Sequence, residues 1–126
     1  MRVLIADDHP LIRSAMKLLL ESDGHEVVAE ADNGADAVQL ARKHNVDLII
    51  LDITMPGLDG LEVINRIRAS EVKSRILVVT SQSPLFYSQR SMKAGAAGFI
   101  TKGQDLTELM RAVKVIMDGY TFFPFL

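Results

Sequence analysis

Short apolar runs alternating with amphipathic helical segments leave this 126-residue chain few ways to fold. Val3-Leu4-Ile5-Ala6, Leu48-Ile49-Ile50-Leu51, Ile76-Leu77-Val78-Val79 and Gly98-Phe99-Ile100-Thr101 are apolar and rich in β-branched residues. That is the pattern of strands buried on both faces of a parallel sheet. Reading along the chain, strands are expected over Arg2–Asp7 and Glu26–Ala31, then in runs ending at Asp52, at Thr80 and just before Lys102. The first helix is expected over Pro10–Glu21, with proline at the first helical position and an apolar stripe of Leu11, Ala15, Leu18 and Leu19.

Helix two is expected over Ala35–His44, carrying Val38 and Ala41 inward, and helix three carries Leu61, Ile64 and Ile67 on one face. Helix four opens at Ser83-Pro84 and is poor in apolar residues, with Leu85 and Met92 alone at heptad spacing, which predicts an element of low local stability. Helix five has a stripe of Leu106, Leu109, Met110, Val113, Ile116 and Met117, with an Asp105…Glu108 capping box before it and Gly119 after it. The product is (βα)5, and right-handed crossovers place helices on both faces of the sheet.

In such a sheet, ligands bind beyond the carboxyl ends of the strands. Asp7 and Asp8 close the first of the apolar runs, Asp52 the second, Thr80 the third, and Lys102 follows the fourth. Three acids brought together repel one another unless a cation intervenes. An all-oxygen site with open positions suits Mg²⁺, and Mn²⁺ can substitute. Asp52 is the candidate nucleophile, Lys102 offers a point charge to a phosphate oxygen, and Thr80 offers a hydroxyl. Taken singly, each residue has a bland reading: an acidic helix cap, a loop lysine, a strand-end threonine. Their convergence favours the chemical one. His9 adjoins the acids, whereas His25 and His44 are expected in exposed turns. A glycine-rich phosphate loop is missing after strand one, which disfavours nucleotide binding.

The net charge of −2 and pI near 5.9 argue against direct nucleic-acid contact by this segment. The lack of cysteine excludes a disulfide framework, and the apolar runs are too short to cross a bilayer, so a cytoplasmic protein away from the membrane is expected.

The set Asp7-Asp8, Asp52-x-x-x-Pro56-x-x-x-Gly60, Thr80 and Lys102 resembles the receiver domain of bacterial two-component response regulators. Asp7-Asp8-His9-Pro10, Gly95-Ala96-Ala97-Gly98-Phe99 and Gly119-Tyr120 look like the NarL/FixJ (LuxR-type) subfamily, and the Phe86-Tyr87 region and the tail are similar to its BvgA/EvgA branch. The resemblance implies a flavodoxin-like, CheY-like sheet of order 2-1-3-4-5. It implies that Asp52 accepts a phosphoryl group from a sensor histidine kinase or a histidine phosphotransfer domain. Mg²⁺ would be held by Asp8, Asp52 and the Thr54 backbone carbonyl, with Asp7 acting largely through water. Lys102 would meet the phosphoryl oxygens, Thr80 would move toward them, and Phe99 would turn inward. At Phe99 the tyrosine hydroxyl common in receivers is lacking, and Gly103 stands where many have proline after a cis peptide.

On this reading residues 1–119 form the receiver. Residues 120–126, bearing the aromatics Tyr120, Phe122, Phe123 and Phe125, are expected either to begin a linker to a DNA-binding helix-turn-helix domain outside this chain, to serve as a homodimer contact, or to pack back onto helix five. Two other readings compete. A phosphatase of the haloacid-dehalogenase kind would need its nucleophile after strand one, in an Asp-x-Asp pattern. A pseudo-receiver would keep the fold without phosphorylation, and the full acid set with Lys102 argues against it.

Overall fold

The computed structural model describes residues 1–103 and 106–124. Five strands and five helices alternate in it: β1 (Arg2–Ala6), α1 (Pro10–Ser22), β2 (Glu26–Ala31), α2 (Gly34–Lys43), β3 (Leu48–Leu51), α3 (Gly60–Ala69), β4 (Arg75–Thr80), α4 (Pro84–Ala94), β5 (Gly98–Thr101) and α5 (Thr107–Met117). The strands form one parallel sheet in the expected order β2-β1-β3-β4-β5.

Side chains alternate across each strand and sort the core into two halves. Leu4, Ala6, Ile49, Leu51, Ile76, Val78 and Phe99 pack with α2 and α3 on one face. Val3, Ile5, Leu48, Ile50, Leu77, Val79 and Ile100 pack with α1 and α5 on the other. The sheet ladder extends one residue past several strands. Asp7 N–H donates to Ala31 O at 3.0 Å, Asp52 N–H to Ala6 O at 2.9 Å, and Lys102 N–H to Thr80 O at 2.7 Å. Each of these residues is therefore fixed by main-chain bonds before its side chain does anything.

Helix α1 departs from the expected phase. Met16 and Leu20 are its buried residues and Ile12 packs beside them, while Leu11 and Leu18 are 85% and 72% exposed and Ala15 and Leu19 also face outward. The helix carries two apolar stripes, and spacing alone does not say which one meets the sheet. Ile12, Met16 and Leu20 form an i, i+4, i+8 row that fits the groove over β1.

Helix α4 shows the expected scarcity of buried apolar residues. Ser88 and Ser91 are its buried residues, Leu85 and Met92 stand exposed, and Ser83 makes no side-chain cap bond. Helix α5 buries Leu109, Ala112, Val113 and Ile116, leaves Met117 partly exposed, and is followed by Gly119 at φ 97°. The capping role expected of Asp105 lies outside the described residues, as does Phe125; Leu106 holds the N-cap position.

The tail packs back, but not as an appendage of α5 alone. Phe122 N–H donates to Ala97 O at 3.0 Å and Phe122 O accepts from Phe99 N–H at 2.8 Å, making a parallel bridge to the open edge of β5. Phe122 joins the α1/α5 half of the core and Phe123 the other half, while Tyr120 stays 70% exposed. In a parallel ladder the next donor toward β5 falls two residues on, at Pro124, which has no N–H. The bridge ends there for that reason. Gly98 permits the approach: a Cβ on it would lie 2.9 Å from Phe122 O and 2.9 Å from Ile116 Cδ1.

Gly60 performs a comparable service for the loop after Asp52. A Cβ there would fall 2.3 Å from Ile53 Cα, whereas one on Gly57, at φ 94°, meets open space. We expect Gly60→Ala to cost about 3 kcal/mol or more by urea unfolding, at the severe end of overpacking, because backbone must move. Gly57→Ala, which meets conformational strain alone, should cost about 1 kcal/mol.

Candidate functional site

The carboxyl edge of the sheet gathers five side chains from three connections. Asp7, Asp8 and His9 follow β1, Asp52 follows β3, and Lys102 follows β5. Asp7 and Asp52 are each 1% exposed. Buried carboxylates need partners. Lys102 Nζ supplies one to both, at 2.8 Å from Asp7 Oδ2 and 2.7 Å from Asp52 Oδ2. Its own side chain is 9% exposed, so this is an interior ion triad rather than a surface bridge.

The other oxygens are held locally. Thr54 donates to Asp52 Oδ1 twice, from its N–H at 2.9 Å and its hydroxyl at 2.7 Å. His9 N–H donates to Asp7 Oδ1 at 2.8 Å. Both are turns in which a carboxylate takes the amide two residues on, a local preference of aspartate. Arg13, one turn into α1, donates from Nη1 to Asp7 O at 2.7 Å and from Nε to Glu30 at 3.0 Å, tying the acidic loop to β2.

These contacts decide charge state. Burial pushes the Asp52 carboxyl up, but the hydrogen bonds from Lys102 and Thr54 outweigh it and hold the group below its ordinary value. Burial pulls Lys102 down, and its bonds to Asp52 and Asp7 more than restore it, so it titrates above the ordinary lysine range. At neutral pH the site holds an ionised carboxylate beside a protonated amine.

Of the residues expected from the sequence, Asp7, Asp8, Asp52, Thr54 and Lys102 come together. The hydroxyl of Thr80, a buried residue, takes a long 3.4 Å contact from Gln82 N–H, and its carbonyl holds Lys102 N–H. Phe99 is 1% exposed in the α2/α3 half of the core. No cis peptide occurs among the described residues. His44 is half-buried, and the His25 side chain is 7% exposed beside Asp23 and the Met1 amine, not in an open turn. Sequence reasoning passed over the Thr54 N–H and hydroxyl and over Arg13. An aspartate two residues before a threonine was the available signal for the first. Nothing local marks the second, which reaches across the fold.

Asp7, Asp8, His9 and Asp52 each offer a ligand atom, all within 4.8 Å of one another. Asp8 Oδ1 is a buried atom without a hydrogen bond, and Asp7 Oδ2 has the Lys102 ammonium as its partner. Hard oxygen donors with unspent lone pairs fit a Mg²⁺-class cation.

Removing the amine should therefore expose the repulsion. In metal-free protein, Lys102→Met should lower stability by about 3 kcal/mol at neutral pH, as breaking a buried ion pair does. Asp52 is depressed, so the amine's contribution is present above about pH 4 and fades as pH falls through the carboxyl's lowered value. Because Lys102 is raised, that contribution persists past about pH 10.4 and is lost only as pH climbs through the amine's raised value. Urea melts of both proteins at pH 3, 7 and 9 would read this; an equal gap at all three would refute it.

Comparison with known proteins places this geometry. The family model described as response regulator receiver domain matches residues 3–114. BvgA of Bordetella pertussis, a positive transcription regulator of virulence factors, is 46% identical over 123 residues, covering 98% of this chain and 59% of that protein. The DNA-binding transcriptional activator EvgA of Escherichia coli is 33% identical over 125 residues, covering 99% of this chain and 61% of that protein. The chain thus spans about three-fifths of the length of these relatives. Among solved structures, a LuxR-family response regulator from Aurantimonas matches with TM-score 0.91 and 34% identity, over 97% of this chain and 88% of that one. The receiver domain of the response regulator NarL from Mycobacterium tuberculosis matches with TM-score 0.87 and 37% identity, over 94% and 96%. Matched by that family model over residues 3–114 and by these relatives over nearly its whole length, the chain belongs to the response regulator receiver family.

Proposed function

We propose that Asp52 is the phosphoacceptor of this receiver and that a sensor histidine kinase or a histidine phosphotransfer domain is the donor. The observation that carries this is the pairing of Asp52: Lys102 on one carboxylate oxygen, Thr54 on the other, and two further acids alongside. An ionised Asp52 can attack phosphorus. The Asp52 O–P bond forms, the P–N bond of the donor's phosphohistidine breaks, and the electron pair returns to the imidazole nitrogen. Lys102 then faces the phosphoryl oxygens and offsets their charge.

Asp8, Asp52 and the Thr54 carbonyl are the residues we assign to Mg²⁺, with Asp7 acting through water and Mn²⁺ as a substitute. When bound, the ion neutralises charge building on the transferring oxygens. Phosphorylation adds roughly −1.5 to −2 charges. We assign Thr80 and Phe99 to the readout: Thr80 moves toward the new acceptor oxygens, and the burial of Phe99 responds through the β4–β5 pair they occupy. Leu11 and Leu18, exposed on α1, the helix that follows the Asp7-Asp8 loop, suit the apolar face of a donor helix. The same stripe suits a second copy of the chain, so we include a homodimer among the partners.

Output is assigned to a DNA-binding segment beyond residue 126, in keeping with the transcription regulators that resemble this chain. We place the receiver at residues 1–119 and the start of the connecting segment at 120–126, and cytoplasmic location follows from the proposed donor. Among the described residues no helix is long and apolar enough to cross a membrane.

Intact-mass spectrometry after incubation with acetyl phosphate and Mg²⁺ should show a single phosphoryl adduct, absent from Asp52→Asn and from metal-free samples. Absence of the adduct with both acetyl phosphate and the cognate kinase would favour the pseudo-receiver reading.

A further inference from the structure

His9 sits where an N-capping side chain belongs, at the entry to α1, yet its side chain makes no cap bond. The ring turns instead toward the acids. Its Nδ1 lies 3.1 Å from Asp7 Oδ1, 3.3 Å from Asp8 Oδ1 and 3.9 Å from Asp52 Oδ2, and 3.2 Å from Lys102 Nζ. That one nitrogen is under opposed demands. The carboxylates ask it for a proton, and the ammonium of Lys102, which has no acceptor, asks it for a lone pair.

A cation among the acids resolves the conflict, because it takes the lone pair and the carboxylate oxygens together. The spacings agree. Bonds of about 2.1 Å to an octahedral ion place neighbouring donors about 3.0 Å apart and opposite donors about 4.2 Å apart. From His9 Nδ1, the 3.3 Å to Asp8 Oδ1 is near the first spacing and the 3.9 Å to Asp52 Oδ2 near the second. A second observation points the same way: Asp8 Oδ1, 3.3 Å from the imidazole, is a buried atom with no hydrogen bond.

We propose that His9 Nδ1 is a ligand of the divalent cation at this site. This rests on the reading of the acids as a metal site and gives that site a selectivity an all-oxygen set lacks. Imidazole binds Ni²⁺, Zn²⁺ and Cu²⁺ well and Mg²⁺ poorly, so one nitrogen among carboxylates shifts preference toward transition cations. His9 therefore makes the phosphoacceptor site responsive to which divalent cation is available.

The probes are Mn²⁺, Ni²⁺ and Mg²⁺ alone, with wild type, His9→Ala and Asp8→Asn. His9 carries no capping bond and its ring is 58% exposed, so its truncation should leave the fold intact, which circular dichroism checks. Electron spin-echo spectroscopy of bound Mn²⁺ should show the nitrogen couplings of a coordinated imidazole in wild type and none in His9→Ala. Calorimetry should show Ni²⁺ affinity falling at least about tenfold in His9→Ala, no less than partners of metal ligands ordinarily cost. Mg²⁺ affinity should change by less than about twofold. Mn²⁺ that binds in an Asp8-dependent way without nitrogen coupling, or with coupling that survives His9→Ala, would overturn the role of His9 and leave the metal site standing. No Asp8-dependent binding of any of the three ions would overturn the metal site, and this inference with it.

Discussion

Like charges at the end of a parallel sheet set the terms for the rest of this molecule. Main-chain bonds hold Asp7 and Asp52 one residue beyond their strands, so neither can retreat into solvent. Each is buried, and the two repel. Lys102, arriving from β5 and lying 2.8 and 2.7 Å from them, makes the arrangement tolerable in the absence of any other cation. A site built this way has a standing appetite for positive charge and a lysine committed to two carboxylates. Any event that adds phosphate oxygens competes for that same ammonium, and the competition is felt along the two strands that meet at Thr80 and Lys102.

The physical route away from the site is short. Lys102 N–H bonds Thr80 O, joining through the main chain the two residues expected to sense phosphate. Phe99 lies three residues before Lys102 and is buried on the α2/α3 face. Next to it stands α4, whose buried residues are serines, with Ser91 Oγ lacking a hydrogen-bond partner. Tyr87 and Ala94 are its apolar side chains packed on that core, a thin anchorage that predicts a lower local unfolding free energy than that of the strands beside it. Rigid strands carrying the chemistry and a loosely held helix beside them are a sensible division for a two-state element.

Much of this was legible because strands buried on both faces leave continuous apolar runs, and because the polar residue ending such a run must lie at the sheet edge. That logic located Asp7, Asp52, Thr80 and Lys102 without reference to side-chain geometry. It failed where two solutions share one pattern. Helix α1 offers Leu11/Ala15/Leu18/Leu19 and Ile12/Met16/Leu20, and only the shape of the sheet chooses between them. It failed again at the tail, where packing onto α5 was weighed against a linker and a dimer contact. Neither periodicity nor composition announced that Phe122 would find Ala97 O and Phe99 N–H. The Thr54 bonds to Asp52 were closer to hand, since aspartate seeks the amide two positions on, but local turn chemistry weighs little beside a strand-end motif.

The tail bridge changes what kind of object β5 is. An outermost strand offers unpaired amides and carbonyls to any other extended chain, which is the usual starting point for strand addition and aggregation. Here Phe122 occupies part of that edge, and Pro124 stops it from propagating. A chain shortened to end before Phe122 would uncover Phe99 N–H, Ala97 O and the bare Gly98 backbone together. Such a fragment keeps every residue of the proposed phosphoacceptor site and loses its edge protection, so its self-association would report on the missing strap and not on signalling.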